Sequence, residues 1–189
     1  MTRHIVIIQG HPDAQESHFY HALALSYAAG ARQAGHEVTL FQVAAMDVPF
    51  LRSKAEWDSG KVLPQLAGAH DAIGAADQLV VIFPLWLGDM PAVLKAFFEQ
   101  VLRPAPGGAM PGARGRRCAA RVVVTMGMPA TLYRWYFWSH SLRSLRRNLF
   151  GFVGVKPVRI TLIGAIEAIS AARRSRWLAH LHALGRAGA

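Results

Sequence analysis

Three clusters in this sequence combine residue types and spacings that chemistry can use. The first is "GHPDAQESHF", which brings His11, Ser17, His18 and Phe19 together just before a helical pattern. A helix start flanked by two imidazoles suits an anion, because unpaired amides and the partial positive charge of the first turn attract a phosphate. In the other reading Ser17 is an ordinary helix cap and His11 a loop residue. The stretch is neither a Walker loop, having no Gly-Lys-Ser/Thr, nor a Gly-x-Gly-x-x-Gly turn. The second cluster is Pro84, Leu85, Trp86 and Leu87, followed by Gly88 and Asp89. A connection with this much apolar surface suits a flat, conjugated ligand with a polar edge, a description flavin answers. Packing of Trp86 and Leu87 against a neighbouring element or subunit is the alternative. The third is "TMGMPATLY", in which Thr125 and Gly127 allow close approach to a planar ring, with Tyr133 across a pocket and His140 seven residues beyond it.

Other chemistries lack their residues. There is no Gly-x-Ser-x-Gly elbow, no His-Glu-x-x-His and no close carboxylate pair placed for glycoside chemistry. Nine histidines show no metal-ligand spacing, and the single cysteine, Cys118, excludes an intrachain disulfide or a cysteine-based zinc site. A reducing, cytoplasmic setting is expected, since no signal-peptide pattern opens the sequence and no apolar run reaches membrane-spanning length.

The elements that must position these clusters follow from hydrophobic periodicity. Apolar runs predict strands over Ile5 to Gln9, Glu37 to Gln42, Leu79 to Phe83, Arg121 to Thr125 and Val158 to Ile163. Helical spacing predicts helices around 17–34, 65–76, 91–102, 138–149 and 171–184. Pro91 suits the first turn of the third of these. Alternation of strands and helices in a chain of 189 residues predicts a single α/β domain over 1–189, a flavodoxin-like three-layer sandwich. Its five-stranded parallel sheet is expected in the order 2-1-3-4-5. Ligands of such sheets bind beyond the carboxyl ends of the strands where the order reverses, and all three clusters are predicted to meet there.

The formal charge of +10 is compatible with nucleic acid, an acidic membrane surface or a phosphorylated ligand. Arginines cluster in three separate places, Arg114 to Arg117, Arg143 to Arg147 and Arg173 to Arg176, which reads as solvated helix faces rather than one nucleic-acid footprint. The aromatic run Tyr133, Trp135, Tyr136, Phe137 and Trp138 reads as core or interface.

Taken together, "GHPDAQESHF", "FPLWLGDMPAVLKAFFEQV", "VTMGMP" and "LFGFVGVKPV" resemble the NAD(P)H:quinone oxidoreductase family of the flavodoxin-like fold, over about Ile5 to Gly164. That family also contains flavoproteins associated with glutathione-gated potassium efflux. The resemblance implies a tightly bound flavin, FAD or FMN, reduced by NADH or NADPH and reoxidised by a quinone-like acceptor. It also implies a homodimer with active sites at the subunit contact, close to Pro84–Met90 and Tyr133–His140. By the same resemblance His11, Ser17, His18 and Phe19 serve the phosphate end, and Pro84, Leu85, Trp86 and Leu87 the ring. Thr125 and Gly127 face its pyrimidine edge, while Tyr133 and His140 are the catalytic candidates in the acceptor pocket. Three departures stand out: Met128 where a second glycine often follows, Tyr20 in place of a small amide residue, and a short Pro/Gly-rich stretch after Leu102.

The chemistry implied is a ping-pong hydride transfer in one shared site, with the protein supplying position, field and solvent exclusion. A regulatory flavoprotein that docks on a membrane transport protein is the rival, with Tyr133 to Arg147 as contact surface. A nucleic-acid-binding module is suggested by charge alone and would show steep salt dependence without flavin absorbance.

Overall fold

The structure is a computed structural model that describes residues 1–15, 18–103 and 118–189. Five parallel strands form one sheet in the order β2-β1-β3-β4-β5. They are β1 (His4–Gln9), β2 (Glu37–Gln42), β3 (Gln78–Pro84), β4 (Ala119–Thr125) and β5 (Val158–Ile163). Among the described residues seven α-helices connect or flank them: α1 (Phe19–Gln33), α2 (Lys54–Ser59), α3 (Pro64–Ala75), α4 (Ala92–Val101), α5 (Ala130–Trp135), α6 (His140–Ser144) and α7 (Ala171–Arg186). Every residue of β3 is buried, as expected for a central parallel strand covered on both faces.

Alternation along β1 divides the core. Val6 and Ile8 pack with Leu66, Phe97 and Phe98 of α3 and α4, and Ile5 and Ile7 pack with Leu23, Tyr27 and Leu181 of α1 and α7. These two apolar layers make the three-layer sandwich the sequence predicts. α1 and α7 cross very closely: a Cβ on Gly30 would lie 2.0 Å from the His182 carbonyl oxygen, and one on Gly185 2.1 Å from that of Tyr27. Glycine is what permits backbone to meet backbone here.

The predicted helix over 138–149 takes a different form. Trp138 and Ser139 adopt left-handed φ values of 55° and 48°, so the chain is interrupted before α6 and continues through a π-helical turn, Leu145–Phe150. α2 and α5, six residues each, are too short for a helical period to show. Ser17 and the stretch from Pro104 to Arg117, including Arg114, Arg116 and Arg117, lie outside the described residues.

Cys118 enters β4 only 6% exposed, and desolvation, aided by the Asp77 charge, pushes its thiol up to about 11. Alkylation of the native protein at pH 8 is therefore expected to run roughly a hundredfold slower than that of the unfolded chain. A mass-spectrometric time course with and without denaturant measures the ratio.

Candidate active site

The carboxyl ends of β1, β3 and β4 open onto a cleft of about 560 Å³, a size suited to a cofactor. Backbone bonds tie its floor together. Gly10 N–H donates to the Ile82 carbonyl at 2.8 Å, and Leu85 N–H to that of Thr125 at 2.7 Å. Pro84, Leu85 and Trp86 form an apolar wall, and Thr125, Met126 and Gly127 line the cleft beside them. Thr125 is itself buried.

His11, His18, Phe19 and Tyr20 line the cleft next to this wall, with the His11 ring edge-on to Trp86. Asp13 organises them. Its N–H donates to His11 Nδ1 at 3.0 Å, which leaves the proton of the neutral imidazole on Nε2. Its carboxylate meets His18 Nε2 at 2.9 Å, and its carbonyl accepts from the Tyr20 hydroxyl. The Tyr20 ring stacks on His11 with centroids 4.0 Å apart and planes 7° from parallel. Tyr20, the departure from the resembled family, thus braces this loop. Desolvation and then the His18 charge hold His11 below its ordinary imidazole value, which favours its neutral form. Desolvation and then Asp13 push Tyr20 up to about 12.

Residues after β5 that were not anticipated, Ile166 and two charged ones, also line the cleft. Glu167, just after β5, and Arg174, in the first turn of α7, both line the cleft. The Arg174 guanidinium lies 5.3 Å from the Phe19 ring centroid, a cation–π contact joining α7 to α1. Ser170 caps α7, its hydroxyl accepting from Arg173 N–H at 3.3 Å, so Arg174 stands beside an ordered helix start. The only sequence signal was the Arg173 to Arg176 group, which solvated arginine explains equally well.

Leu87 stands apart from this cleft. Trp86 and Asp89 exchange two backbone hydrogen bonds, 2.9 and 3.0 Å, around a tight turn whose central residues Leu87 and Gly88 have φ of 47° and 82°. Glycine accepts that conformation freely whereas leucine does so under strain, and the Leu87 side chain is fully exposed. Beyond the turn lies a smaller recess of about 310 Å³ lined by Leu87, Gly88, Asp89, Tyr133, Phe137, His140, Ser141 and Ser144. Tyr133 and His140 therefore share a recess with Leu87, and neither lines the larger cleft. The Tyr133 phenol is buried and bonded to Ser141 Oγ at 2.7 Å.

Of the predicted site residues, His11, His18, Phe19, Pro84, Leu85, Trp86, Thr125 and Gly127 meet in the larger cleft, and Leu87, Tyr133 and His140 meet beside it. The cleft's chemistry fits a flavin. It sets an apolar wall beside imidazole and guanidinium groups that can donate, as a ring joined to a phosphate requires.

Fold and cleft together define a flavodoxin-like α/β protein with its ligand site at the switch point of the sheet. The chain belongs to the flavodoxin-like fold family, whose sequence profile matches residues 3–184. Among curated proteins it is similar to an uncharacterized NAD(P)H oxidoreductase of Haemophilus influenzae, 26% identical over 174 residues that cover 87% of this chain and 85% of the relative. Among solved structures it is similar to the NAD(P)H:quinone oxidoreductase of Methanothermobacter marburgensis, with a TM-score of 0.80 and 26% identity, covering 98% of this chain and 96% of the other. The FMN-dependent NADH-azoreductase of Bacillus anthracis, solved in complex with FMN, shares the fold at a TM-score of 0.71 and 15% identity, each chain being 98% covered.

Proposed function

We propose that this protein is a flavin-dependent NAD(P)H oxidoreductase that passes hydride from NADH or NADPH to a quinone-like acceptor by a ping-pong mechanism. The observation that carries the reading is the larger cleft, apolar along Pro84, Leu85 and Trp86 and lined also by His11, His18 and the Arg174 guanidinium. The two relatives at 26% identity, one named an NAD(P)H oxidoreductase and the other an NAD(P)H:quinone oxidoreductase, support the activity.

The flavin, FAD or FMN, when bound supplies the hydride acceptance and donation that no side chain here can perform. The chain's own residues bind and orient. His11 Nε2–H and Arg174 donate to phosphate oxygen, Trp86 and Leu85 exclude water from the ring face, and Thr125 and Gly127 allow close approach at its edge. In the adjoining recess the Tyr133 phenol, held by Ser141, and the His140 imidazole supply the proton that an acceptor oxygen takes up as it gains charge. The turn Pro84–Met90, with Leu87 exposed, and the segment Tyr133–His140 are the surfaces we assign to contact between two subunits of a homodimer.

An absorption spectrum of the purified protein, with chromatography of the released cofactor, tests flavin binding and separates FAD from FMN. Stopped-flow kinetics then test the roles of Tyr133 and His140. Tyr133→Phe combined with His140→Ala is expected to slow the acceptor half-reaction roughly a hundredfold while flavin reduction by NAD(P)H changes little. Equal slowing of both half-reactions would make the pair structural.

A further inference from the structure

Tyr20, near the start of α1, is 4% exposed and meets the loop after β1 in two ways. Its ring lies flat on His11, and His18 packs against both, 5.0 Å from His11 and 5.4 Å from Tyr20 between centroids. Its hydroxyl donates to the Asp13 carbonyl, and the N–H of that same residue donates to His11 Nδ1. The Asp13 carboxylate, which would repel a phosphate, is engaged by His18 Nε2 and by Gln15 N–H, each at 2.9 Å. Every polar group of Asp13 is therefore committed inside the loop. The hydroxyl of Tyr20 fixes the Asp13 peptide, that peptide fixes the His11 ring, and the Tyr20 ring covers one face of the imidazole.

We propose that Tyr20 is a positioning residue for the phosphate group of the flavin, holding His11 so that a neutral Nε2–H is what this loop offers to phosphate oxygen. The role presupposes the flavin reading above and adds a residue in which this chain departs from the resembled family. A donor already fixed in place loses little freedom when the anion arrives. With Nδ1 accepting from Asp13, the proton of the neutral ring sits on Nε2, and His11 lines the cleft. The titratable and charged groups around it are Asp13 and His18 of its own loop, Tyr20 and His21 of α1, and Glu167 and Arg174, which line the same cleft. Desolvation, to which the stacked Tyr20 ring contributes, is the larger cause holding His11 low, ahead of the His18 charge.

In the ligand-free protein, long-range proton–nitrogen spectra report the tautomer and titration of His11, with His11→Gln identifying its signals. Wild type is expected to show the Nε2–H tautomer and to titrate below the ordinary imidazole value. Tyr20→Asn uncovers the ring and should move that titration upward, whereas Tyr20→Phe keeps the cover and should not. Equilibrium dialysis with FMN and with riboflavin, which lacks the phosphate, supplies the second measurement. Tyr20→Phe should weaken FMN about fivefold, the worth of one hydrogen bond, and leave riboflavin unchanged. Between pH 8 and pH 6 Tyr20→Asn should gain FMN affinity relative to wild type, because its His11 takes up a proton there and a cation attracts phosphate. Titration of the FMN phosphate is common to both proteins and cancels. Melting temperatures verify folding, and Tyr20→Phe decides alone where Tyr20→Asn does not fold. Wild type that binds neither FMN nor riboflavin overturns the flavin reading, and the role of Tyr20 falls with it. Where wild type binds FMN, an unchanged FMN-to-riboflavin ratio in Tyr20→Phe, or an unchanged His11 titration in folded Tyr20→Asn, overturns the role of Tyr20 alone.

Discussion

A Trp86→Asp protein is expected to keep its fold and bind flavin at least a hundredfold more weakly. Trp86 stands at the carboxyl end of β3, half-exposed against the larger cleft, with its ring edge-on to His11 at 5.6 Å. The hydrogen bonds that shape its turn come from backbone atoms of Trp86 and Asp89, so the substitution leaves them in place. What changes is the wall: a carboxylate would have to lose its hydration against an apolar ring, a cost of several kcal/mol when no partner compensates. Trp86→Phe, which keeps an aromatic face, should retain most of the affinity. Equilibrium dialysis with FMN and with FAD, beside far-ultraviolet circular dichroism, measures both properties. Full occupancy in a folded Trp86→Asp protein would remove this turn from the cofactor site.

Gly30→Leu is expected to destabilise the native state by about 3 kcal/mol or more, the upper range for overpacked sites. Considered alone, helix α1 would gain about 1 kcal/mol from the change, because leucine is a far better helix former than glycine. The crossing decides the sign. The added Cβ would fall 2.0 Å from the His182 carbonyl oxygen, and backbone, unlike a flexible side chain, cannot swing aside. Gly68→Leu in α3, where an added Cβ meets nothing within 4 Å, is the matched control and should not be destabilised comparably. Urea midpoints for both proteins test the difference. Equal midpoints would mean that α1 and α7 can separate at little cost.

The three central strands were legible because buried parallel strands leave nearly continuous apolar runs, and the half-exposed edge strands because β-branched residues recur in them. Glu37–Gln42 and Val158–Ile163 begin and end where periodicity puts them, and the other three strands extend by one or two residues. Their order also locates the cleft, since Pro84, Thr125 and the loop after Gln9 all leave adjacent strand ends. The hidden features depend on contacts distant in sequence. Glu167 and Arg174 reach the cleft only because α7 folds back on α1, a tertiary event that no local pattern encodes. Likewise, loop length brings Tyr133 and His140 near the strand ends, but α5 and the left-handed pair Trp138 and Ser139 set them in the adjoining recess.

The walls of the cleft come from widely separated parts of the chain, and this has a consequence for the order of assembly during synthesis. β1, β3 and β4 must all be paired before a floor exists, and parallel pairings between distant strands are among the slower events of folding. Arg174 arrives later still, on the last helix. A chain emerging from the ribosome as far as β5 could already have its sheet and its apolar wall but would lack this cation. On the proposed flavin-binding reading, full capture of the cofactor would wait on the docking of α7, and captured cofactor would mark chains that have completed that step.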